Sequence, residues 1–140
     1  MTMNKQRLAE NKAIIARFDK ECVEKINDSL LDELVSDKVV NHLAPEGANG
    51  KESFRHYINE ILHVGLSEIK VEIHQQIAEG EIVVSMKTIS GLHTRNLLGV
   101  PATNKKIEIE LIEIIRLENG QYAEHWAESN LHELLMSLKQ

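Results

Sequence analysis

From Asn4 to Asn27, apolar residues recur at helical spacing: Leu8, Ile15, Phe18, Cys22 and Ile26 are separated by charged and polar positions. A stripe of that period predicts one long amphipathic helix. Ser29-Leu30-Leu31-Asp32 has the form of a capping box and predicts a short second helix through Leu34. Val39 to Leu43 reads as a brief extended piece. The loop "APEGANGKE" follows, with Asn49 and Glu52 placed to cap a third helix whose buried stripe is Phe54, Tyr57, Ile58, Ile61 and Leu62.

After Gly65 the period changes from helical to two. Ile69, Val71, Ile73 and Ile77 alternate with Glu68, Lys70, Glu72 and His74, which predicts a half-buried strand. Glu79-Gly80 is a turn, and Ile82 to His93 is the next strand. The loop "TRNLLGVPATNK" carries Leu97, Leu98 and Val100, an apolar content that suggests a lid or a contact surface. Ile107 to Leu117 is a third strand. Asn119-Gly120 is a two-residue hairpin signal leading into Tyr122 to Glu128, and a short helix, Leu131 to Leu138, follows. Helices first and a meander of antiparallel strands afterwards indicate α+β, with helices covering the one apolar face of the sheet.

A length of 140 residues suits a single domain with one core, taken as residues 1–140. Aromatic residues make up only 4% of the chain, so Ile, Leu and Val must fill that core and each ring is informative. The net charge of −6 is spread without a basic cluster, which argues against a nucleic-acid partner. Cys22 is the only cysteine, so there is no disulfide framework and no thiolate metal site. No apolar run approaches membrane length, and a reducing cytoplasm is the expected location.

Glu113 breaks the pattern of its strand. The odd positions Ile107, Ile109, Leu111, Ile115 and Leu117 are apolar, so Glu113 lies on the buried face. A carboxylate there must pair, neutralise or serve chemistry, because an unpaired buried charge is costly. A raised pKa would suit proton transfer. A local twist or bulge, or a pair with Arg116 or a lysine, would account for it equally. The seven histidines form no zinc-binding spacing. His56, His63, His74 and His132 read as solvated surface, whereas His42 and His93 end extended pieces beside loops, where functional groups tend to sit. Counting by two from Tyr122 places Glu124, Trp126 and Glu128 on its face, and His125 on the other with Ala123 and Ala127. Trp126 reads either as core or as the wall of a ligand site.

The ordered segments "AEGEIVV", "SGLHTRNLLGVPATNKK" and "IEIIRLENGQYAEHWAESN" resemble the SnoaL-like polyketide cyclase family of the nuclear transport factor 2 superfamily, over about residues 38–138. The resemblance implies a cone: a curved antiparallel sheet wrapped around helices, with an apolar pocket at one end and homodimers formed through the sheet. It implies cyclisation or isomerisation of a carbonyl substrate by acid/base groups, without metal or organic cofactor. His93 matches the family's histidine between strand and loop. Glu113 and Arg116 match its Asp and Arg, Glu124 and Trp126 its E-x-W, and His42 a histidine after the first short strand. Asn130 falls where the family carries an Asp general acid/base, and an amide cannot take up and return a proton near neutral pH.

Two readings follow. One is a pocket protein for a small apolar or aromatic carbonyl ligand, acting as a cyclase or isomerase. In it His93 or His42 is the base, Glu113 an acid, Asn130 an orienting donor, and Trp126, Tyr57, Glu124 and Arg116 ligand contacts. The other is a non-catalytic binding or dimerisation module that lost the acid at Asn130. A metal-dependent hydrolase would need His42, His93 and a carboxylate to converge.

Overall fold

A computed structural model describes residues 2–139. The first helix, α1 (Thr2–Phe18), runs on through a π-helical turn at Asp19–Val23. Ile15, Phe18, Cys22 and Val23 are buried along it. The side-chain oxygen of Asn27 accepts from the N–H of Leu30 and from the Ser29 hydroxyl, so Asn27 rather than Ser29 caps α2 (Asp28–Leu34). Strand β1 (Val35–Asn41) follows. The Asn49 side chain accepts from the N–H of Glu52 and starts α3 (Gly50–His56). A Cβ on Gly50 would lie 2.3 Å from the Val39 carbonyl oxygen, so a bare backbone is what lets α3 begin against β1. A second π-helical turn, Tyr57–Leu62, and a last turn, His63–Gly65, complete that helix.

The remaining elements are β2 (Leu66–Glu79), β3 (Ile82–His93), β4 (Lys106–Glu118), β5 (Gln121–Ser129) and α4 (Leu131–Leu138). They form one five-stranded sheet in the order β1-β5-β4-β3-β2, antiparallel except for β1 beside β5. The sheet curves without closing, and the helices fill its concave side, as an α+β cone requires. Asn119 and Gly120 both have positive φ, 53° and 77°, the backbone of a type I′ hairpin. In the core, the Phe18 ring lies 4.7 Å from Tyr122, and Phe54 meets His125 edge-on at 4.8 Å.

Extra residues in two strands change which side chains face inwards. In β5, Leu117 opposes Tyr122 but Arg116 opposes Glu124, so Ala123 is a bulge. Beyond it the alternation is reversed: His125 is buried with Tyr122, while Glu124 and Trp126 turn to the convex face. Tyr122 and Trp126 therefore do not share a face, contrary to simple counting. In β2, Ile73 opposes Lys87 and Gln75 opposes Met86, so His74 is extra. Ile77 is thereby thrown outwards, 56% exposed, instead of joining Ile69 in the core.

The loop after β3 owes its apolar residues to anchoring. Leu97 and Val100 exchange backbone hydrogen bonds of 2.9 Å and are both buried. Leu97 fills the notch at Gly65, where a Cβ would lie 2.7 Å from its own Cβ. Only Leu98 points outwards. Arg95, exposed at the surface, donates to the carbonyls of Val64 (2.7 Å) and His63 (3.0 Å) and satisfies the end of the third helix.

Candidate active site

Four ionisable side chains lie together on the concave face. Lys87 of β3, Glu113 of β4 and His125 of β5 are diagonal neighbours, since Glu113 is directly opposite both Ser85 and Ala127. Long side chains meet across such diagonals. Asp19, the first residue of the first π-helical turn, comes down on them from the helix side. Lys87 Nζ donates to Asp19 Oδ2 at 2.7 Å and is ion-paired with Glu113 Oε1. Glu113 Oε2 lies 2.8 Å from His125 Nε2. All four are buried.

His125 is held from its other side by Asn41, whose Oδ1 lies 3.0 Å from Nδ1. That oxygen also accepts from the N–H of Leu43 at 3.1 Å, and Asn41 Nδ2 donates to Ser53 Oγ at 2.9 Å. These partners fix the orientation of the amide, so the atom facing His125 is an acceptor.

Burial dominates the acid/base character of the cluster. It pushes Asp19 from 3.8 up to about 6, with Lys87 opposing and Glu113 adding to the rise. Burial also pushes Glu113 upwards, but Lys87 and the bond from His125 outweigh it and hold that carboxyl at about 2. The single ammonium bridges both carboxylates, and Glu113 has a second partner in His125. Lys87 is itself held above its ordinary value, its own burial being offset by the two carboxylates. Tyr57, first residue of the second π-helical turn, is pushed up to about 12 by burial and by the charge of Glu113, so its hydroxyl stays neutral. Helices that widen at single π turns often do so at functional positions. The Tyr122 hydroxyl is buried without a hydrogen-bond partner among the described residues, and burial with Asp19 and Glu113 raises it further.

The convex face carries a separate group. His42 stacks on Trp126 with ring centroids 4.7 Å apart and planes at 9°. His42 Nε2 lies 2.7 Å from Glu124 Oε2, and Arg116 Nε donates to Glu124 Oε1 at 3.1 Å. His42, Leu43, Ile112, Ile114 and Trp126 line a groove of about 340 Å³ there.

The residues expected from the sequence therefore divide. Glu113 and Tyr57 belong to the concave cluster. His42, Trp126, Glu124 and Arg116 belong to the convex face, so the indole lines an outer groove and does not face the helices. His93 is fully buried: Nε2 donates to the Val100 carbonyl at 3.1 Å and Nδ1 accepts from the Thr103 hydroxyl at 3.0 Å. Both nitrogens are used to pin the loop, which leaves neither free to serve as a base. Asn130 Oδ1 accepts from the N–H of Glu110 at 2.9 Å, and its own N–H donates to the Glu110 carbonyl, extending the β4–β5 ladder up to α4. His63, expected at the surface, is half-buried against the Val23 carbonyl. Among the described residues no group of three or more His, Cys, Asp or Glu side chains could hold a metal ion.

Sequence reasoning missed Asp19, Lys87, His125 and Asn41. Lys87 sits two residues from Ile89 on the inward phase of β3, and Asp19 sits beside Phe18 on the apolar stripe. Each was the same signal that exposed Glu113, a charge on a core face.

A curved open sheet packed over helices, with paired ionisable groups buried on its concave face, defines an α+β cone. The sequence matches the SnoaL-like polyketide cyclase family over residues 13–138, and the chain belongs to that family. Among solved structures it is similar to TsrD from Streptomyces laurentii, at 24% identity and a TM-score of 0.79, covering 91% of this chain and 95% of that one. It is also similar to IdmH from Streptomyces antibioticus, at 20% identity and a TM-score of 0.78, covering 93% and 99%. A SnoaL-like protein from Jannaschia Sp. CCS1 matches at 18% identity and 0.78, covering 94% and 92%. These likenesses are of fold. None of the curated proteins matches the sequence.

Proposed function

We propose that the protein is a cofactor-independent cyclase or isomerase that moves a proton next to a carbonyl of a small apolar, aromatic or polyketide-like substrate. The observation that carries this reading is the row Asp19–Lys87–Glu113–His125 buried on the concave face of a cyclase-family fold. Burying four ionisable groups costs several kcal/mol per ion unless pairing returns it, and such clusters concentrate at functional sites. Asp19 is the carboxylate suited to accept a proton near neutral pH, because burial has raised it to about 6. Glu113, expected from the sequence as an acid, serves in this reading as the charged link between Lys87 and His125, because those partners hold it as a carboxylate. Tyr57 offers a neutral hydroxyl to the carbonyl oxygen. Partly buried Ile61, Leu111, Leu131 and Leu134 pack against the core.

The convex face is the contact between two copies of the chain. Ile77, Met86 and Ile112 are 56%, 37% and 49% exposed, and Trp126 and Leu43 continue the same surface. Ile112→Lys converts the dimer to a monomer in light scattering; a wild-type monomer at high concentration would refute the contact. One free, buried cysteine fits a reducing cytoplasm.

The test of activity is proton exchange. Aromatic β-keto esters in heavy water are followed by NMR for loss of the signal between the two carbonyls. The wild type accelerates exchange, and Asp19→Asn lowers the rate by about a hundredfold or more. Tight binding of these esters with no acceleration would leave a binding module instead.

A further inference from the structure

The contacts of His125 are unusual for a neutral imidazole. Nδ1 faces the Asn41 oxygen, identified as an acceptor by the Leu43 N–H that also reaches it. Nε2 faces a carboxylate oxygen of Glu113. A neutral ring offers one donor and one acceptor, so it can satisfy both partners only if Glu113 carries the proton between them. Where that proton rests is decided by what lies on the other side of Glu113. There the Lys87 ammonium is paired with Oε1, and it is itself braced by Asp19. The other titratable groups around the cluster are Glu24 and Cys22 on the helix side, Tyr57 and Tyr122, none of which is a cation.

We propose that Lys87 is the positioning residue of this centre: its ammonium fixes Glu113 as a carboxylate and so keeps both nitrogens of His125 protonated. This deepens the proposed function and rests on it for its catalytic meaning. The ring then acts as a held positive charge in the hollow, stabilising the enolate oxygen that forms when the neighbouring carbon loses its proton. It is not the base. Removing the ammonium moves the proton between His125 and Glu113, breaking Nε2–H and forming Oε2–H, while Asp19, which the same ammonium holds down, rises and takes up a separate proton from solvent.

The test is NMR of the intact protein labelled with nitrogen-15 in histidine. The two ring nitrogens of His125 resonate close together when both are protonated and far apart when one is not. Wild type at neutral pH shows them close together. In Lys87→Met they separate, with the proton remaining on Nδ1. If Lys87→Met fails to fold, Asp19→Asn/Lys87→Met, which removes one charge of each sign, gives the same separation. Separated nitrogens in the wild type overturn the proposal whatever the variants do, as do unseparated nitrogens in a folded variant. In the exchange assay Lys87→Met lowers kcat by about tenfold or more with KM little changed. A wild type with no exchange activity but close nitrogens would sink the functional reading and leave the role of Lys87 standing.

Discussion

Replacing Asp19 by Asn keeps the shape of the side chain and removes one titrating group from the concave cluster. In the folded chain burial raises this carboxyl from 3.8 to about 6, despite the adjacent Lys87. In the unfolded chain it returns to its ordinary value. Between about pH 4 and 6 the folded protein therefore binds more protons than the unfolded one, and its stability falls as pH rises through that window. A shift of about two units, at about 1.36 kcal/mol per unit, sets a ceiling of roughly 3 kcal/mol. Asp19 is only 4% exposed, so solvent screening removes little of it. Glu113 has the opposite sign: lowered from 4.5 to about 2, it contributes stability above pH 4.5 that is lost as pH falls towards 2. Comparing wild type with Asp19→Asn isolates the first effect. Urea unfolding followed by circular dichroism at pH 4, 5, 6 and 7 gives the difference in unfolding free energy. The wild type loses ground to the variant as pH rises, by up to roughly 3 kcal/mol. A difference that stays level, or that grows in favour of the wild type as an ordinary salt bridge would make it, refutes the reasoning.

His93→Ala removes two buried hydrogen bonds and leaves a void, costing roughly 2–4 kcal/mol in urea unfolding, with faster amide exchange at Leu97 and Val100. Gly50→Ala drives a methyl into the Val39 carbonyl and lowers thermal stability by roughly 2 kcal/mol or more. Asn130→Asp retains the acceptor for the Glu110 N–H and stays within about 0.5 kcal/mol of wild type, whereas Asn130→Leu loses about 1 kcal/mol. Burial pushes the Cys22 thiol up to about 12, so a thiol reagent modifies it only as fast as the chain unfolds.

Most of the fold was legible because period and turn chemistry agree along the chain. The change of period after Gly65, the Asn119-Gly120 hairpin and the Asn49 cap each recur in the structure. Glu113 was legible as an anomaly, and its partner is a lysine, one of the readings open from the pattern. The remainder of the cluster was hidden by two physical causes. Bulges at His74 and Ala123 shift the phase of β2 and β5, so counting by two assigns Ile77 and His125 to the wrong company. Lys87 and Asp19 each find their counter-charge at long range, from a different element, and no spacing within one segment reports that. Proximity to a loop singled out His93 and His42, yet one ring is spent on the loop itself and the other stacks on the outer side of the sheet.

The single extra residue in β5 has a reach beyond its own turn of backbone. His125 and Trp126 are consecutive, one in the hollow and one in the outer groove, and Ala123 decides which is which. The buried ion-paired row and the exposed groove thus draw on one strand of nine residues. Were Ala123 paired regularly in the ladder instead of bulged, every later side chain would change face, turning the indole towards the acids and the imidazole outwards.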